Sequence, residues 1–385
     1  MLFVSRLLGR QFWRPKFTRS VKKFLSELAS QKSINIILFR KVAQMRTYNN
    51  LWDEFISAEN FQLAARKAIK SKKSKSAVAK FMARRDELLD KLRRDIIAGV
   101  FRTSPYVVKT IYEPKERQIY VLPLYPDHIL HHALINVLGP IWLKMFVRDS
   151  FACIPGRGLH SASTRAMELV RRNKYVLQCD IRKFYPSIRH DVMKRILRRK
   201  ISDRRILRIL DNVVDSVAGE KNVPIGNLTS QWFGNVFLNE LDHFVKEKLQ
   251  WHEYIRYCDD FCLFGNDKDA LRRAFDKIQD FVHRDLQLEF SKSVIYPVWR
   301  GFDFIGYRHF KNFILLRKTT ARRIKKNVIN MARHHDFGEH SVGQLAAYYG
   351  WAKWANTYRY KRKIQRAVGQ YGGTAAKFIR EHFWF

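Results

Sequence analysis

Apolar positions follow two different periods along this chain, and the two periods predict a mixture of helices and strands. Helical spacing predicts helices within the ranges 50–99, 126–146, 161–172, 190–217, 231–249, 270–286 and most of 311–385. Alternating or continuous apolar runs predict strands within the ranges 107–122, 175–180, 253–265, 288–295 and 301–309. No internal repeat and no linker rich in glycine or serine divides the chain. The pattern therefore predicts an α+β protein of connected subdomains.

Two apolar, β-prone runs within 253–265 flank the adjacent acids Asp259 and Asp260, which predicts a strand, a tight turn and a second strand. Two neighbouring carboxylates repel each other unless a cation lies between them. Oxygen ligands alone select a hard cation such as Mg²⁺ or Mn²⁺. The alternative is an ordinary β-turn that favours aspartate.

Three other segments carry candidate chemistry. A buried strand ends at Asp180, and an aromatic pair that includes Tyr185 follows it. A turn that contains Gly226 opens the long helix that ends near 249. The hairpin loop 113–117 carries Arg117, whose forked donors suit a triphosphate, although an ordinary charged hairpin tip explains the pattern equally well.

Two weaker signals accompany them. Arg157 lies between two glycines in the loop 151–160, which is typical of a phosphate-binding loop but not specific to one. His128, His131 and His132 lie on a predicted helix without a carboxylate partner. We expect these histidines to be core or surface residues, not metal ligands.

The charge changes the picture. Among 385 residues, Lys and Arg number 73 and Asp and Glu 35, a formal net charge of +38. A hydrophobic fraction of 46% with 14% aromatic residues excludes a disordered chain. An excess of this size predicts a polyanionic partner, nucleic acid before an anionic membrane surface.

Few features of the sequence indicate the cellular compartment of the protein. No apolar run approaches the roughly 20 residues of a membrane-spanning helix. Cys153, Cys179, Cys258 and Cys262 lack zinc-type spacing, so we interpret them as core thiols of a cytoplasmic protein. Residues 1–45 are basic; a transit peptide, an interfacial helix or an extension upstream of the true start all fit. We expect an extension that touches nucleic acid or is poorly ordered.

Together these segments suit nucleotidyl transfer. Two divalent ions stabilise the attacking hydroxyl and the leaving pyrophosphate when carboxylates from separate strands hold the ions together. Asp180 at a strand end and the pair Asp259–Asp260 in an adjacent hairpin meet this requirement.

On these residues the sequence resembles the reverse transcriptases over about residues 50–360. Tyr257-Cys258-Asp259-Asp260 resembles the family's Tyr-x-Asp-Asp signature, and 180–188 resembles its first catalytic motif. The resemblance implies an RNA-directed DNA polymerase with a right-hand fold: fingers, an antiparallel palm sheet backed by helices, and a helical C-terminal thumb. It implies fingers and palm within 46–310 and the thumb within 311–385, after the extension 1–45.

The resemblance also implies residue roles. Asp180, Asp259 and Asp260 would bind two Mg²⁺ ions (Mn²⁺ is possible), with the carbonyl of Ile181 as a further ligand. Lys292 lies in the segment where a family lysine can protonate the leaving pyrophosphate.

Substrate contacts follow from the same resemblance. Arg117 matches the fingers arginine that contacts the triphosphate of the incoming dNTP. Tyr185 matches the steric-gate aromatic that crowds a ribonucleotide 2′-hydroxyl. The segment 301–307 resembles the primer grip. Template RNA and an RNA/DNA primer duplex are the implied partners, and the basic residues of the last segment would track phosphates. Its aromatics Trp351, Trp354 and Tyr358 fit a helix core better than base-stacking platforms.

The segment 225–231 indicates a subfamily. Group II intron and retroviral enzymes usually have Gln-Gly-x-x-x-Ser-Pro there, whereas this chain has Ile225, Gly226 and, at the last position, Gln231. These departures resemble the reverse transcriptases of diversity-generating retroelements. An isoleucine offers only apolar contact near the nucleotide, so weaker discrimination of base-pair shape is expected. The resemblance implies errors opposite template adenines during mutagenic retrohoming.

The sequence shows no recognisable endonuclease or RNase H domain. The resemblance therefore implies other components, including a small, oligomeric, basic accessory variability protein, with shared RNA screening the repulsion between two basic partners. A retron, intron-derived or phage-defence reverse transcriptase is the first alternative. A non-catalytic RNA-binding scaffold is the second, although it has no need for the three acids.

Overall fold

The structure is a computed structural model that describes residues 47–383 except 71, 73, 75 and 113–115. The predicted extension 1–45 lies outside the described residues.

The first part of the chain is mostly helical. Its elements are α1 (Trp52–Ile56), α2 (Ala58–Ile69), α3 (Ser76–Ala83), α4 (Arg85–Ile97), β1 (Val107–Ile111), β2 (Arg117–Val121), α5 (Ile129–Leu143) and α6 (Leu159–Arg172). Strands β1 and β2 pair antiparallel, as predicted, in a ribbon whose apolar residues are largely exposed. His131 in α5 is buried, and burial lowers its pKa to about 3, so it is a neutral core residue.

The central part alternates strands and helices. Its elements are β3 (Tyr175–Ile181), α7 (Phe184–Ser187), α8 (His190–Arg198), α9 (Arg204–Val214), α10 (Leu228–His243), β4 (Tyr254–Tyr257), β5 (Asp260–Gly265), α11 (Lys268–Asp285) and β6 (Phe290–Pro297). Strand β3 runs one residue past the predicted end at Asp180. The four strands form an antiparallel sheet in the order β4-β5-β3-β6.

Both faces of this sheet pack against other elements. Successive side chains of β3 point to opposite faces, so neighbouring residues of the strand enter different cores. Leu177 and Cys179 join a core formed with the helices of the first and central parts, including α10. The apolar stripe predicted for α10 is confirmed, since Trp232, Phe233, Val236, Phe237 and Leu241 are all buried. Val176 on the other face packs into a second core with α6 and the segment after β6.

The last part begins with a three-stranded sheet and continues as four helices. Its elements are β7 (Phe302–Phe304), β8 (Tyr307–His309), β9 (Ile314–Leu316), α12 (Lys318–His334), α13 (Glu339–Lys353), α14 (Tyr358–Gly369) and α15 (Gly373–Phe383). The predicted boundary at 310/311 falls between β8 and β9 of one sheet. The helices have a core of their own.

The predicted fold class is confirmed: an antiparallel sheet is backed by helices, a hairpin ribbon and helices precede it, and a helical unit follows it. In the described part of the chain, no helix is both long and apolar enough to cross a membrane.

Candidate active site

The edge where β3 and β5 meet brings the three predicted acids together. Cys179 of β3 pairs with Phe261 of β5, so Asp180 and Asp260 lie one residue further along adjacent strands. Tyr257 pairs with Asp260 across the β4–β5 turn, which places Asp259 in the turn itself. Antiparallel pairing thus joins acids that are some 80 positions apart in the sequence.

Burial and mutual repulsion change the acidity of this group. Burial raises the pKa of Asp259, the nearby Asp180 carboxylate adds to the rise, and Arg117 opposes it. Burial, followed by the charges of Asp180 and Asp259, raises the pKa of Asp260 to about 6. Burial first, and the neighbouring carboxylates second, disfavour the charged forms of these acids, and a bound cation would offset both effects.

The donors fit a hard divalent cation in chemistry, because all are carboxylate oxygens. Within the described residues, no group of three or more His, Cys, Asp or Glu side chains is already arranged around a common metal position.

Strand β6 supports Asp180 from the other side. Ser291 donates a hydrogen bond to the Asp180 carboxylate and a second one, of 3.2 Å, to its main-chain carbonyl. Lys292 pairs directly with Asp180, so its exposed side chain lies on the same face of the sheet. The register shifts between Asp180 and Ile181, and the Ile181 side chain is buried in the core, so only its backbone can face the acids.

A buried arginine that the sequence analysis did not identify holds the acidic turn. Arg256 forms a two-bond ion pair of 2.7 and 2.6 Å with Asp242 of α10, and neither side chain is exposed to solvent. Its Nη1 also donates to the Cys258 carbonyl at 3.0 Å, immediately before Asp259. Tyr254 donates to Asp242 at 2.7 Å. The sequence feature that could have identified this role is a charged residue, Arg256, in the middle of an otherwise apolar strand.

Tyr185 lies beside this turn. It lines a small cavity together with Gln231, Gly234 and Cys258. A Cβ atom at Gly234 would lie 3.0 Å from the Tyr185 hydroxyl, so the glycine allows the tyrosine ring to pack against α10. Burial raises the pKa of Tyr185 well above its ordinary value. The structure therefore brings Tyr185 and Gln231 together next to the acids.

The glycine turn contacts the β1–β2 ribbon. The amide of Tyr120 donates to the Ile225 carbonyl at 2.8 Å. Gly226 has φ of +121°, and a Cβ atom there would lie 2.9 Å from the Tyr120 carbonyl oxygen, so the position requires glycine. This contact fixes the ribbon that carries Arg117 at its exposed end.

Two other predicted features have structural roles. Arg157 Nη1 donates to the carbonyls of Val147 and Ser150 at 2.5 and 3.1 Å, so this side chain holds the loop backbone. Trp351 packs on Tyr307 of β8 with 5.1 Å between ring centroids. Trp354 stacks on His160 at 4.4 Å although it is 37% exposed. The core prediction is wrong for Tyr358, which is 68% exposed.

The raised pKa of Asp260 predicts a pH-dependent gain in stability for Asp260→Asn. The folded protein binds this proton more tightly than an unfolded chain does, so ionisation of Asp260 destabilises the folded state. This destabilisation is absent below about pH 4 and fully present above about pH 6. We expect Asp260→Asn to stabilise the metal-free protein by about 2 kcal/mol near neutral pH. Urea unfolding in a chelator at two pH values measures this gain. A gain of equal size at both pH values would contradict the repulsion, and Asp276→Asn, an exposed acid of α11, is the matched control.

Comparison with known proteins adds independent information. Residues 113–309 match the family model described as reverse transcriptase (RNA-dependent DNA polymerase). Protein YkfC of Escherichia coli K12 is 26% identical over 56% of this chain and 70% of its own length.

Two yeast proteins are also similar. A 91 kDa protein in the cob intron of Schizosaccharomyces pombe is 25% identical over 33% of this chain. An intron 2 protein of COX1/OXI3 from Saccharomyces cerevisiae is 22% identical over 42% of this chain. The matches span only 17% and 20% of these two proteins.

Among solved structures, apo telomerase from Candida tropicalis gives a TM-score of 0.44 at 13% identity, over 78% of this chain and 64% of that chain. Telomerase from Candida albicans with a TWJ fragment of telomeric RNA gives 0.42 at 13% identity, over 74% and 61%. Both scores are low.

Proposed function

Because the chain belongs to the reverse transcriptase family, the RNA-dependent DNA polymerases, we propose that it copies an RNA template into DNA at the edge formed by Asp180, Asp259 and Asp260. The observation that carries this proposal is the register of β3, β5 and β4, which places the three acids at one edge. Divalent metal ions are general in this family. Two Mg²⁺ ions are our proposal for this chain, with Mn²⁺ as an alternative.

The chain's own groups would divide the reaction between them. Asp180, Asp259 and Asp260 would hold divalent ions, which would acidify the primer 3′-hydroxyl and offset the charge of the leaving group. Ser291 keeps the Asp180 carboxylate in place, and Arg256 fixes the turn that carries Asp259. We propose that Lys292, which pairs with Asp180, gives a proton to the departing pyrophosphate.

The nucleotide would lie between the ribbon and α10. Arg117 at the exposed end of β2 supplies a positive charge near Asp259, which suits the triphosphate of a dNTP. Tyr185, packed against Gly234, forms a wall that a ribonucleotide 2′-hydroxyl would meet. Gln231 lines the small cavity beside Tyr185, and Ile225 and Gly226 contact the ribbon at Tyr120. We propose Arg117, Tyr185, Ile225, Gly226 and Gln231 as nucleotide-binding residues.

A primer-extension assay tests the polymerase proposal. Purified protein with primed RNA, all four dNTPs and either Mg²⁺ or Mn²⁺ should extend the primer, and a chelator should stop the reaction. An absence of extension, with and without an added accessory protein, would favour the RNA-binding scaffold instead.

For the biological role we propose low-fidelity copying of a template-repeat RNA in mutagenic retrohoming. The support is the pair Ile225 and Gln231, which differ from the Gln and Pro of intron and retroviral enzymes. The Ile225 carbonyl is bonded to Tyr120, so the backbone is fixed and only the side chain can vary the contact to the nucleotide. A basic accessory variability protein is the proposed partner, with RNA between the two.

Ile225→Gln is expected to raise fidelity. A glutamine at this position can hydrogen-bond to the nucleotide, whereas isoleucine cannot, and one such bond contributes about 1 kcal/mol, or roughly fivefold in discrimination. Sequencing of the products measures the error rate at each template base. Ile225→Leu, which remains apolar, is the matched control and should leave the error spectrum unchanged. An equal error rate for Ile225→Gln would refute this role.

An intron-type reverse transcriptase is the second candidate, since two relatives are proteins encoded within introns. Uniformly faithful copying of template adenines would favour it. The neighbouring DNA offers a second test. A diversity-generating element requires two near-identical repeats that differ at adenines, and an intron would lack them.

A further inference from the structure

An exposed tryptophan lies at the end of the central sheet remote from the acids. Trp299 is 74% exposed and is the most exposed of the described tryptophans. Its neighbour Val298 is buried, and the Val298 amide donates to the Lys174 carbonyl at 3.0 Å. The short 3₁₀ turn Val298–Arg300 is therefore anchored on one side and presents the indole to solvent on the other.

The surroundings hold this turn rigidly. Gly301 has φ of +90°, and a Cβ atom there would lie 2.5 Å from Arg308 Nε and 2.7 Å from the Phe310 ring. Phe310 stacks on Phe313 with 4.7 Å between ring centroids, and Phe313 is 43% exposed. The Arg300 guanidinium lies 5.5 Å from the centroid of the Trp299 ring. These contacts pack the turn in place and put one cation beside the exposed indole.

The segments that adjoin this turn carry four exposed basic residues, of which Arg300 contacts the indole ring. We define the basal patch as Arg171, Lys174, Trp299, Arg300, Lys311 and Phe313. Arg171 Nε donates to the Lys311 carbonyl at 3.1 Å, which joins α6 to the loop after β8. Within the described residues, none of the four basic side chains forms an ion pair with an acid. The basal patch therefore carries positive charge that the protein does not neutralise.

The basal patch is separate from the catalytic edge. Lys292 pairs with Asp180, whereas Pro297 at the other end of β6 pairs with Tyr175. Five residues of strand span about 17 Å. A ligand on the basal patch would not be the reacting primer end.

We propose that the basal patch binds a single-stranded segment of RNA, with one base stacked on Trp299 and its phosphates on the surrounding cations. Single strands expose base faces that an open aromatic ring can stack on, whereas bases in a duplex are covered. We further identify this RNA as a segment that flanks the copied part of the template, and this identification rests on the proposed function. An acidic protein surface would use the charges but would not require the planar ring.

The experiment compares an untailed primer–template with two tailed ones, which differ from it only in a single-stranded RNA tail of about 20 nucleotides that exceeds the usual site sizes of single-strand binders. The tail is placed in turn at each end of the template. In the wild type, at least one tailed substrate should bind more tightly than the untailed one. Trp299→Ala should reduce this gain by about tenfold, as expected for one lost base stack, while kcat on the untailed substrate stays unchanged.

Two further variants separate stacking from charge. Trp299→Phe keeps an aromatic face and should retain most of the gain, whereas Trp299→Leu should lose it. Lys174→Ala with Lys311→Ala should reduce the salt dependence of tail binding by about 1.4 in the slope of log K against log salt concentration. Arg84→Ala with Arg85→Ala removes two positive charges elsewhere, each paired with a neighbouring acid, and should leave the tail effect intact.

A photocrosslink from a 4-thiouridine tail to the peptide that contains Trp299 would support the site directly. The inference is wrong if Trp299→Ala and Trp299→Leu retain the full tail effect. It is also wrong if an acidic polypeptide displaces the tail equally from the wild type and from Trp299→Ala. Failure of the wild type to extend the untailed substrate would instead overturn the proposed polymerase function, which keeps the two failures distinguishable.

Discussion

Asp259→Asn is expected to lower kcat for DNA synthesis by about a thousandfold while RNA affinity stays close to that of the wild type. The variant keeps the shape of the turn but removes one of the charges that hold the divalent ions, which supply several kcal/mol of transition-state stabilisation. Each 1.4 kcal/mol corresponds to a factor of ten in rate. Single-turnover primer extension and fluorescence anisotropy with the same primed RNA measure the two quantities.

Asp180→Asn should have an effect of similar size, and the double variant should be little worse than either single variant, because the acids act as one unit. Asp276→Asn makes the same chemical change on the exposed face of α11 and should leave kcat unchanged. Extension by Asp259→Asn at the wild-type rate would remove this acid from the mechanism. A parallel loss of RNA binding would indicate misfolding of the turn, and thermal unfolding would detect it.

Arg256→Met is expected to cost about 3–5 kcal/mol of unfolding free energy. The substitution leaves the Asp242 carboxylate fully buried without its cation, and breaking one side of a buried ion pair costs this much. It also releases the Cys258 carbonyl beside Asp259. Urea unfolding gives the stability, and primer extension gives kcat and KM for the dNTP.

The double variant Arg256→Met with Asp242→Leu separates the two roles of this arginine. Removal of both charges should restore most of the stability, because no unpaired charge remains in the core. It should not restore kcat, because nothing then holds the Cys258 carbonyl. Recovery of kcat together with stability would mean that Arg256 is structural only. Arg272→Met, which breaks an exposed pair with Asp269, is the control and should change stability by less than about 1 kcal/mol.

The sheet strands and the long helices were predictable because their apolar periods are strong and local. The strand at β3, the Asp-Asp hairpin and the apolar stripe of α10 all lie where the sequence placed them. The acids Asp259 and Asp260 were identifiable because two adjacent carboxylates between apolar strands are conspicuous without any tertiary information. Strand β9, the third strand of the sheet formed by β7, β8 and β9, was not predicted, because a run of three residues is too short to show a period.

The supporting residues were not predictable for a different reason. Arg256 and Asp242 lie 14 positions apart, and Ser291 and Asp180 lie 111 apart, so no local pattern links them. Arg157 had a suggestive glycine context, but its guanidinium is used by two backbone carbonyls that only the folded loop brings within reach. The exposure of Trp299 likewise depends on which side of a short turn packs against β3.

By itself, the sequence determined the element types, the basic character of the chain and the acids that define its chemistry, because these depend on residue type and on spacing within a few positions. Only the tertiary structure decided that Asp180 meets the Asp259–Asp260 turn, that a buried arginine fixes this turn, and that an indole and four cations share one surface. Those facts depend on strand register and on contacts between distant segments. Such contacts form only when the chain folds, and no single segment of the sequence specifies them.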